Sequence, residues 1–497
     1  MLYKKLIAAA LCGLTLAATA LAGTSCSNSN PADITTAAGT QNPVTSIAPQ
    51  STADPGYIYG EQQTDYKGAD FYILYPSGWS LYTDYYFAEQ QTGDPVNDAL
   101  YKRVTDTEDF FNINIQTVDC KTIDAVSTNI QKEDLAGAHN IDIALTHCIS
   151  GLDTMVLKNQ VYNWDNMPNV DFTKEYWNQS VKDYLDIGGY MPYVANDLII
   201  PDPCFITFSK ALLQQYSLED PYQLVTSGQW TWDKLDEMAK QVSKDVDGDG
   251  KYTAADQYGF AGELDWMFIN TMYSCGQSLL EKDASGRYAL AINTQKTQNI
   301  VNSLNDLLYN GNQSFTWPYT ATSTLNPPLP FDSGRALFYL NTGTNIKSLR
   351  ATDFDFGILP YPKYDTNQAN YVSLNWAGMI CAPTDIADPG MVGAVTEYLG
   401  ADSYQTVWPQ YFNVLLNGKL ARDDQSKAML DLIYGNSIYD FGLNFDGFQN
   451  PELLYTIPKL LAAKSTDLAS YYQQRAAAVQ ASYDKIYDAF IANANKT

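Results

Sequence analysis

The sequence predicts an α/β fold in which parallel strands alternate with helices. Three short runs rich in β-branched and aromatic residues, 71–75, 112–119 and 141–146, are separated by two stretches whose apolar residues recur every three or four positions. This spacing indicates helices that are buried along one side. Strands and helices that alternate in this way require parallel strands joined by right-handed crossovers.

The helices of this segment are also indicated by their first residues. Asp94 suits an N-cap, and Pro95 suits the first helical position. The apolar positions of the first helix are Val96, Leu100, Val104 and Phe111, and those of the second are Ile123, Val126 and Ile130. Beyond residue 201 the sequence is rich in helices, with Thr231 as the N-cap of one over 229–244. Further helices are predicted over 294–308, 391–399, 426–433 and 467–491.

Ligands of parallel sheets bind beyond the carboxyl ends of the strands. In this chain those ends fall at residues 75–79 and 146–153. Tyr75, Trp79 and His147 lie there, so they are the first candidates for contact with a ligand.

The N-terminal residues predict secretion. Lys4 and Lys5 precede an uncharged apolar run that ends in small residues at Ser25, the pattern of a signal peptide over 1–25. Cys26 follows directly, as in a bacterial lipoprotein, although an ordinary signal before an incidental cysteine is the alternative. Residues 26–65 form a polar tether, and no later run approaches the roughly 20 apolar residues of a membrane span. The expected location is the extracellular face of the cell membrane, held by lipid alone.

The composition disfavours some classes of binding partner and predicts the state of the cysteines. The chain carries a formal net charge of −26, which disfavours nucleic acid and anionic surfaces. Besides Cys12 and Cys26 there are five widely spaced cysteines, an odd number that predicts isolated thiols rather than a disulfide framework.

The sequence gives little support to an enzyme. It contains no serine-hydrolase elbow, zinc-protease helix, P-loop or dinucleotide-binding glycine motif. Its two histidines, His139 and His147, offer few candidates for a histidine-based catalyst. Acidic residues are plentiful, so a glycoside hydrolase that uses two carboxylates stays open as an alternative.

Residues 245–256 resemble a calcium loop. Asp245, Asp247 and Asp249 occupy positions 1, 3 and 5, Gly250 occupies the turn position, and Asp256 stands at position 12. The backbone carbonyl of position 7 would come from Lys251. These residues predict a structural Ca²⁺ site; the alternative is an acidic, solvated turn.

Aromatic residues are abundant: 37 Tyr, 19 Phe and 9 Trp. Several tryptophans fall in predicted loops, namely Trp79, Trp266, Trp317 and Trp376. An indole face beside Asp or Asn complements a sugar, which has flat C–H faces ringed by hydroxyls. For any single tryptophan, packing in the core is the alternative.

Five segments, in order along the chain, resemble the family 1 extracellular solute-binding proteins of ABC importers, the maltose-binding protein group. They are residues 136–143, 220–233, 331–338, 356–363 and 373–383. The chain departs from the family in its greater length, in Arg335-Ala-Leu where a run of small residues is usual, and in the calcium-like insertion.

The resemblance implies the two-lobed fold of type II periplasmic binding proteins, in which each lobe is a mixed sheet flanked by helices and hinge strands join the lobes. The N-terminal lobe would comprise 66–198 with 361–405, and the C-terminal lobe 199–360 with 406–497. Crossings between lobes are expected near residues 194–204 and 360–373. The residues expected to contact the solute are Tyr75, Trp79, His147, Asn196, Asp197, Trp266 and Trp376.

The function that follows from the resemblance is capture of a carbohydrate, an oligosaccharide, by a monomeric lipoprotein that delivers it to ABC permease subunits without catalysis. Two alternatives remain at this point. One is a secreted lipoprotein glycoside hydrolase, and the other is a surface protein that holds polysaccharide without transport.

Overall fold

The computed structural model of the chain describes residues 60, 63–79, 81–82, 86–318, 330–343, 345, 354–416, 424–445 and 452–496. The predicted signal peptide, Cys26 and most of the tether lie outside the described residues. All described residues belong to one compact unit, Val44–Thr497. Within them, no helix combines the length and the apolar character that crossing a bilayer needs.

The strands are short and spread along the chain. They are β1 (Ala69–Tyr75), β2 (Ile113–Asp119), β3 (Ile143–Leu145), β4 (Cys204–Ser209), β5 (Tyr258–Glu263), β6 (Leu280–Lys282), β7 (Tyr288–Leu290), β8 (Ser314–Trp317), β9 (Ala336–Thr342), β10 (Phe356–Leu359), β11 (Ser373–Leu374), β12 (Ile380–Cys381) and β13 (Ser437–Ile438).

The helices surround these strands. They are α1 (Pro95–Phe111), α2 (Ala125–Ala136), α3 (Leu152–Leu157), α4 (Gln179–Leu185), α5 (Lys210–Gln215), α6 (Pro221–Thr226), α7 (Trp232–Lys240), α8 (Ile269–Ser274), α9 (Gln295–Tyr309), α10 (Pro389–Gln405), α11 (Val407–Leu416), α12 (Asp424–Gly435), α13 (Phe441–Asn444), α14 (Thr456–Ala462), α15 (Leu468–Gln473) and α16 (Ala476–Ala494). Single 3₁₀ turns lie at Trp164–Asn166 and Trp266–Phe268.

The first sheet has the strand order β12-β3-β1-β2. β1 runs parallel to β2, with Tyr75 opposite Asp119, and parallel to β3, with Ile73 opposite Ile143. The predicted parallel strands are therefore confirmed. Their carboxyl ends lie at one edge of the sheet, where the antiparallel strand β12 begins.

The second sheet has the order β10-β4-β9-β5-β8. β5 is parallel to β8 and β9, whereas β4 is antiparallel to β9 and β10. Two mixed sheets flanked by helices confirm the predicted fold class. The carboxyl ends of β5, β8 and β9 come together at one edge, alongside the start of β4.

The two predicted N-caps are present in the structure. Asp94 accepts the backbone N–H groups of Val96 and Asn97, and the hydroxyl of Thr231 accepts that of Lys234. The single helix predicted over 467–491 is instead two helices, α15 and α16. At the break, the Arg475 guanidinium donates to the carbonyl of Tyr471 (3.0 Å), which replaces part of the helical bonding that the break removes.

Two stretches of chain connect the sheets. The first, before β4, and the second, before β12, are held together by isolated antiparallel bridges, Pro203 with Asn375 and Val194 with Ile380. The first stretch matches the crossing expected at 194–204. The second lies between β10 of the second sheet and β12 of the first, a stretch that includes the expected 360–373. The lobe boundaries remain predictions.

Candidate functional site

Aromatic rings gather at the carboxyl edge of the first sheet. The Trp79 ring lies 4.4 Å from the His147 ring and 5.2 Å from that of Tyr82, and Tyr75 lies 5.0 Å from Tyr86. Trp79, His147 and Tyr75 are half-buried, so part of each ring remains open. The structure therefore brings together the three candidates predicted at these strand ends.

His147 is a neutral hydrogen-bonding group. Burial disfavours the imidazolium and lowers the pKa of His147 to about 4. The backbone N–H of Ile149 donates to Nδ1 (3.3 Å), which assigns the ring proton to Nε2. At neutral pH the ring can thus offer one N–H beside the Trp79 face.

A second pair of rings lies at the edge of the second sheet. Trp266 and Trp376 are 4.9 Å apart and nearly perpendicular, at 69°. Trp266 is half-buried, whereas Trp376 is only 6% exposed. The indole N–H of Trp376 faces the weakly accepting thiol of Cys204 without forming a geometrically acceptable hydrogen bond. Two tryptophans predicted separately therefore form one L-shaped surface.

The backbone at Gly378 links the two ring groups. A Cβ at this position would lie 1.9 Å from the Thr146 carbonyl oxygen and 1.9 Å from the Tyr82 hydroxyl, so the chain passes in direct contact with the first group. The Tyr82 hydroxyl donates to the Thr146 carbonyl (2.6 Å), and the Tyr439 hydroxyl donates to the Gly378 carbonyl (2.9 Å). Trp376, two residues earlier, is held in place from the first sheet through this contact.

Three buried polar side chains form a row across the carboxyl edge of the second sheet, which we call the polar row: Trp317, Glu263 and Asn341. Glu263 on β5 is in register with Trp317 on β8. Asn341 lies two residues after Tyr339, which pairs with Ala261 two residues before Glu263, so all three project from the same face. Each is at most 7% exposed, and each has a polar atom that finds no hydrogen-bond partner among the described residues: Trp317 Nε1, Glu263 Oε1 and Asn341 Nδ2.

Burial has a clear electrostatic effect on this row. It raises the pKa of Glu263 to about 7, with a smaller contribution from the nearby negative charge of Asp265. Unpaired polar atoms this deep are uncommon in folded proteins and suggest a partner that the chain itself does not supply. Of the polar row, the sequence analysis named only Trp317, as one of the tryptophans expected in loops, whereas the structure places it in β8. Glu263 and Asn341 were not singled out; the available signal for Glu263 was its place three residues before Trp266.

Two more amide groups lie close by. Asn375 uses its carbonyl oxygen to accept the N–H groups of Asp202 (2.8 Å) and Ala377 (3.1 Å), and Asn270 accepts that of Leu374 (2.7 Å). Both side-chain NH₂ groups are buried, and no residue that the structure describes accepts a hydrogen bond from them. These donors flank the segment that carries Trp376.

Asn196 does not fit its expected role. It is 2% exposed, its amide donates to the Thr396 carbonyl (2.9 Å), and its oxygen accepts the N–H of Leu198 (3.1 Å). A Cβ at Gly400 would lie 2.4 Å from its amide nitrogen, so Asn196 packs tightly against α10. Asn196 was expected to contact the solute; in the structure it is buried, and both its amide nitrogen and its oxygen bond to backbone groups that support the crossing.

Asp197 was also expected to contact the solute, but its described neighbours lie in another part of the protein. It lies beside Trp408 and acts electrostatically on Tyr404, at the junction of α10 and α11. Burial raises the pKa of its carboxyl well above the ordinary value. None of its described contacts involves the two ring groups or the polar row.

In the acidic loop of residues 245–256, the carboxylates lie close to one another or accept backbone N–H groups of the same loop. Carboxylate oxygens of Asp245, Asp247 and Asp249 lie within 4.8 Å of one another. Asp256 is outside this group because its two oxygens accept the N–H groups of Val246 (2.9 Å) and Thr253 (2.8 Å). Three of the four predicted carboxylate ligands therefore converge, and the fourth ties the ends of the loop together.

A separate hollow of about 460 Å³ opens beside the start of α7. Its lining is polar and charged, and it includes Lys234, which already pairs with Glu219 and Glu237. Because it offers no aromatic surface, the sheet edges are the better candidate for the functional site.

The fold can be compared with those of known proteins. No family model matches the chain, and no curated protein matches it. Among solved structures, UgpB from Mycobacterium tuberculosis in complex with glycerophosphocholine is 17% identical, with a TM-score of 0.57 over 84% of this chain and 99% of that one. The cyclic α-maltosyl-1,6-maltose binding protein from Arthrobacter globiformis is 12% identical, with a TM-score of 0.54 over 86% and 100%. The GacH receptor of Streptomyces glaucescens, solved with acarbose, is 10% identical, with a TM-score of 0.53 over 86% and 99%. The predicted likeness to the solute-binding proteins of ABC transporters is thus confirmed at the level of the fold.

Proposed function

We propose that this protein is the extracellular solute-binding component of an ABC importer and that it captures a carbohydrate between two lobes. The observation that carries the proposal is the polar row of Trp317, Glu263 and Asn341, whose unpaired atoms lie at the edge of the sheet that also holds Trp266 and Trp376. A sugar hydroxyl both donates and accepts hydrogen bonds, so it can satisfy an indole N–H, an amide and a carboxylate together.

The two ring groups suit a solute of more than one sugar ring. Trp79 and His147 belong to one sheet edge, whereas Trp266 and Trp376 belong to the other. Aromatic faces complement the C–H faces of sugars, and neighbouring polar groups fix their orientation. Acarbose and a cyclic maltosyl-maltose, named for two proteins of the same fold, are sugars of this size.

The test is a thermal-shift screen of the mature chain against neutral di- to hexasaccharides, followed by calorimetric titration of those that stabilise it. A ligand that binds only the folded state raises stability by RT ln(1 + [L]/Kd), about 2.7 kcal/mol at 100 times Kd. Stabilisation by an oligosaccharide at micromolar Kd is the expected result. If no carbohydrate binds while small zwitterions or peptides do, the proposal is wrong.

One observation keeps a hydrolase as a second candidate. A carboxyl with its pKa raised to about 7, like that of Glu263, is what a glycosidase uses as its general acid. Incubating the bound oligosaccharide with the protein and measuring new reducing ends separates the two functions. A binding protein releases none over many hours.

We also propose that Cys26 carries the lipid anchor and that the loop of Asp245, Asp247 and Asp249 binds Ca²⁺ as a structural ion. The first proposal follows from the position of Cys26 after the small residues that end the signal sequence. The second is supported by the spacing of the acids and by the convergence of three carboxylates. In this proposal Asp256 keeps the loop closed.

A further inference from the structure

Among the described residues, the neighbours of the Glu263 carboxyl in its own sheet are uncharged. Glu263 is 7% exposed, and its Oε1 has no hydrogen-bond partner within the part of the chain that the structure describes. Its neighbours in the second sheet are the indole of Trp317 on β8 and the amide of Asn341 on β9, both uncharged. A buried carboxylate without a compensating partner is costly, so it strongly favours ligand groups that donate hydrogen bonds or carry positive charge.

The other charged groups around it do not reverse this preference. Asp265, two residues later, adds a second negative charge, and burial raises the pKa of both carboxyls. Lys459 on α14 acts on Asp265. On β9, burial raises the pKa of the Tyr339 hydroxyl, and the negative charges of Asp332 and Glu263 raise it further. This hydroxyl therefore stays neutral. The local field at the polar row is therefore negative whenever Glu263 is ionised.

We propose that Glu263 sets the charge specificity of the site: sugars that present hydroxyl or amine groups to the polar row bind, and the same sugars bearing a carboxylate are rejected. This inference rests on the proposed function and narrows its substrate class to neutral or cationic saccharides. Rejection follows because two like charges cannot both be accommodated where water is largely excluded.

The rejection depends on pH in a defined direction. Above about pH 7, Glu263 is ionised and repels a carboxylate; below that value it is protonated and can donate a hydrogen bond to one instead. A sugar carboxylate, with an ordinary pKa of about 4, stays ionised on both sides of this transition. The change in relative affinity with pH therefore comes from the titration of Glu263 and not from that of the sugar.

The experiment uses matched probes: maltotriose and cellotriose, and any other neutral trisaccharide that binds in the screen, each beside its analogue with primary hydroxyls oxidised to carboxylates. Calorimetry on the mature chain at about pH 8.5 is expected to give a Kd about 30-fold higher for the oxidised sugar, the ratio for like charges about 8 Å apart at an effective dielectric constant of about 20. At about pH 5.5 the ratio should shrink to a few-fold as Glu263 is protonated.

Two variants test whether the charge of Glu263 causes the difference in affinity between neutral and oxidised sugars. Glu263→Gln removes the charge and keeps the shape, so its ratio at high pH should resemble that of the wild type at low pH. Glu237→Gln makes the same change in net charge at an exposed residue of α7 that pairs with Lys234, so its ratio should stay at the wild-type value. Melting curves of both variants check that they are folded, and the pH series on the wild type tests the idea without mutation.

The outcomes separate the two proposals. If neutral and oxidised sugars bind equally at high pH, or if Glu263→Gln leaves the ratio unchanged, the charge assignment is overturned while carbohydrate binding stands. If no saccharide of either kind binds, the proposed function fails, and the charge specificity fails with it.

Discussion

Gly378 lies where neighbouring atoms leave no room for a side chain. Replacing it with alanine would place a Cβ 1.9 Å from both the Thr146 carbonyl oxygen and the Tyr82 hydroxyl. An ordinary carbon–oxygen contact needs about 3.3 Å, so the neighbouring chain must move by roughly 1.4 Å. The movement also breaks the buried hydrogen bond between Tyr82 and Thr146.

The expected loss in the free energy of unfolding is about 3–5 kcal/mol, from overpacking a dense region and losing a buried hydrogen bond. Because Gly378 lies two residues from Trp376 and one residue from the Met379 carbonyl that accepts the N–H of Thr146 (2.8 Å), the ring groups should shift as well. Binding of the oligosaccharide found in the screen should weaken at least tenfold, since small misplacements of aligned groups are costly.

Urea denaturation followed by tryptophan fluorescence measures the first effect, and calorimetric titration at low temperature measures the second. Gly390→Ala is the matched control, because its Cβ would lie 3.2 Å from the nearest atom, an oxygen of the Asp388 side chain that caps α10, which is a far milder contact than those at Gly378. This control should change stability by less than about 1 kcal/mol. If Gly378→Ala melts and binds like the control, the inferred contact between the crossing segment and the first sheet is wrong.

Three further predictions concern other parts of the chain. Trp266→Ala should weaken sugar binding and lower the free energy of unfolding by less than about 2 kcal/mol. Trp376 is more deeply buried, so Trp376→Ala should weaken binding and also lower the free energy of unfolding by about 3–5 kcal/mol. Melting curves and titrations of both variants check this. Chelation of calcium should lower the melting temperature of the wild type and leave Asp247→Ala unchanged, and an equal response in both would contradict a calcium site. Fatty-acid labelling in the native host should mark the wild type but not Cys26→Ser, and labelling of the variant would reject Cys26 as the lipidated residue.

The parts of the fold that could be predicted depend on short-range rules. Asp94 and Thr231 cap their helices because an N-cap bonds to backbone groups two or three residues away, a distance visible in sequence. The rings of Trp79 and His147 were found for a related reason, since the carboxyl ends of parallel strands meet at one edge whatever the rest of the chain does.

The parts that could not be predicted depend on register between distant strands. Glu263 and Trp317 become neighbours only because β5 and β8 pair in one specific alignment, and a shift of one residue would send them to opposite faces. Asn196 was assigned to the solute because it lies at a crossing, but its true partners, Thr396 and Gly400, lie far away in sequence on α10. Local sequence does not show which polar groups are already paired within the fold.

The segment that carries Trp376, which the sequence analysis assigned to contact with the solute, is fixed by contacts within the protein. In the structure, the closest neighbours of Gly378 are Thr146 and Tyr82, so its lack of a side chain serves the contact between the crossing and the first sheet. The backbone at Asn375 is fixed in the same way on the other side, because its side chain accepts the N–H of Asp202. Trp376 is thus held between two fixed points that belong to different sheets. A change at either point should therefore reach the binding surface without touching the solute.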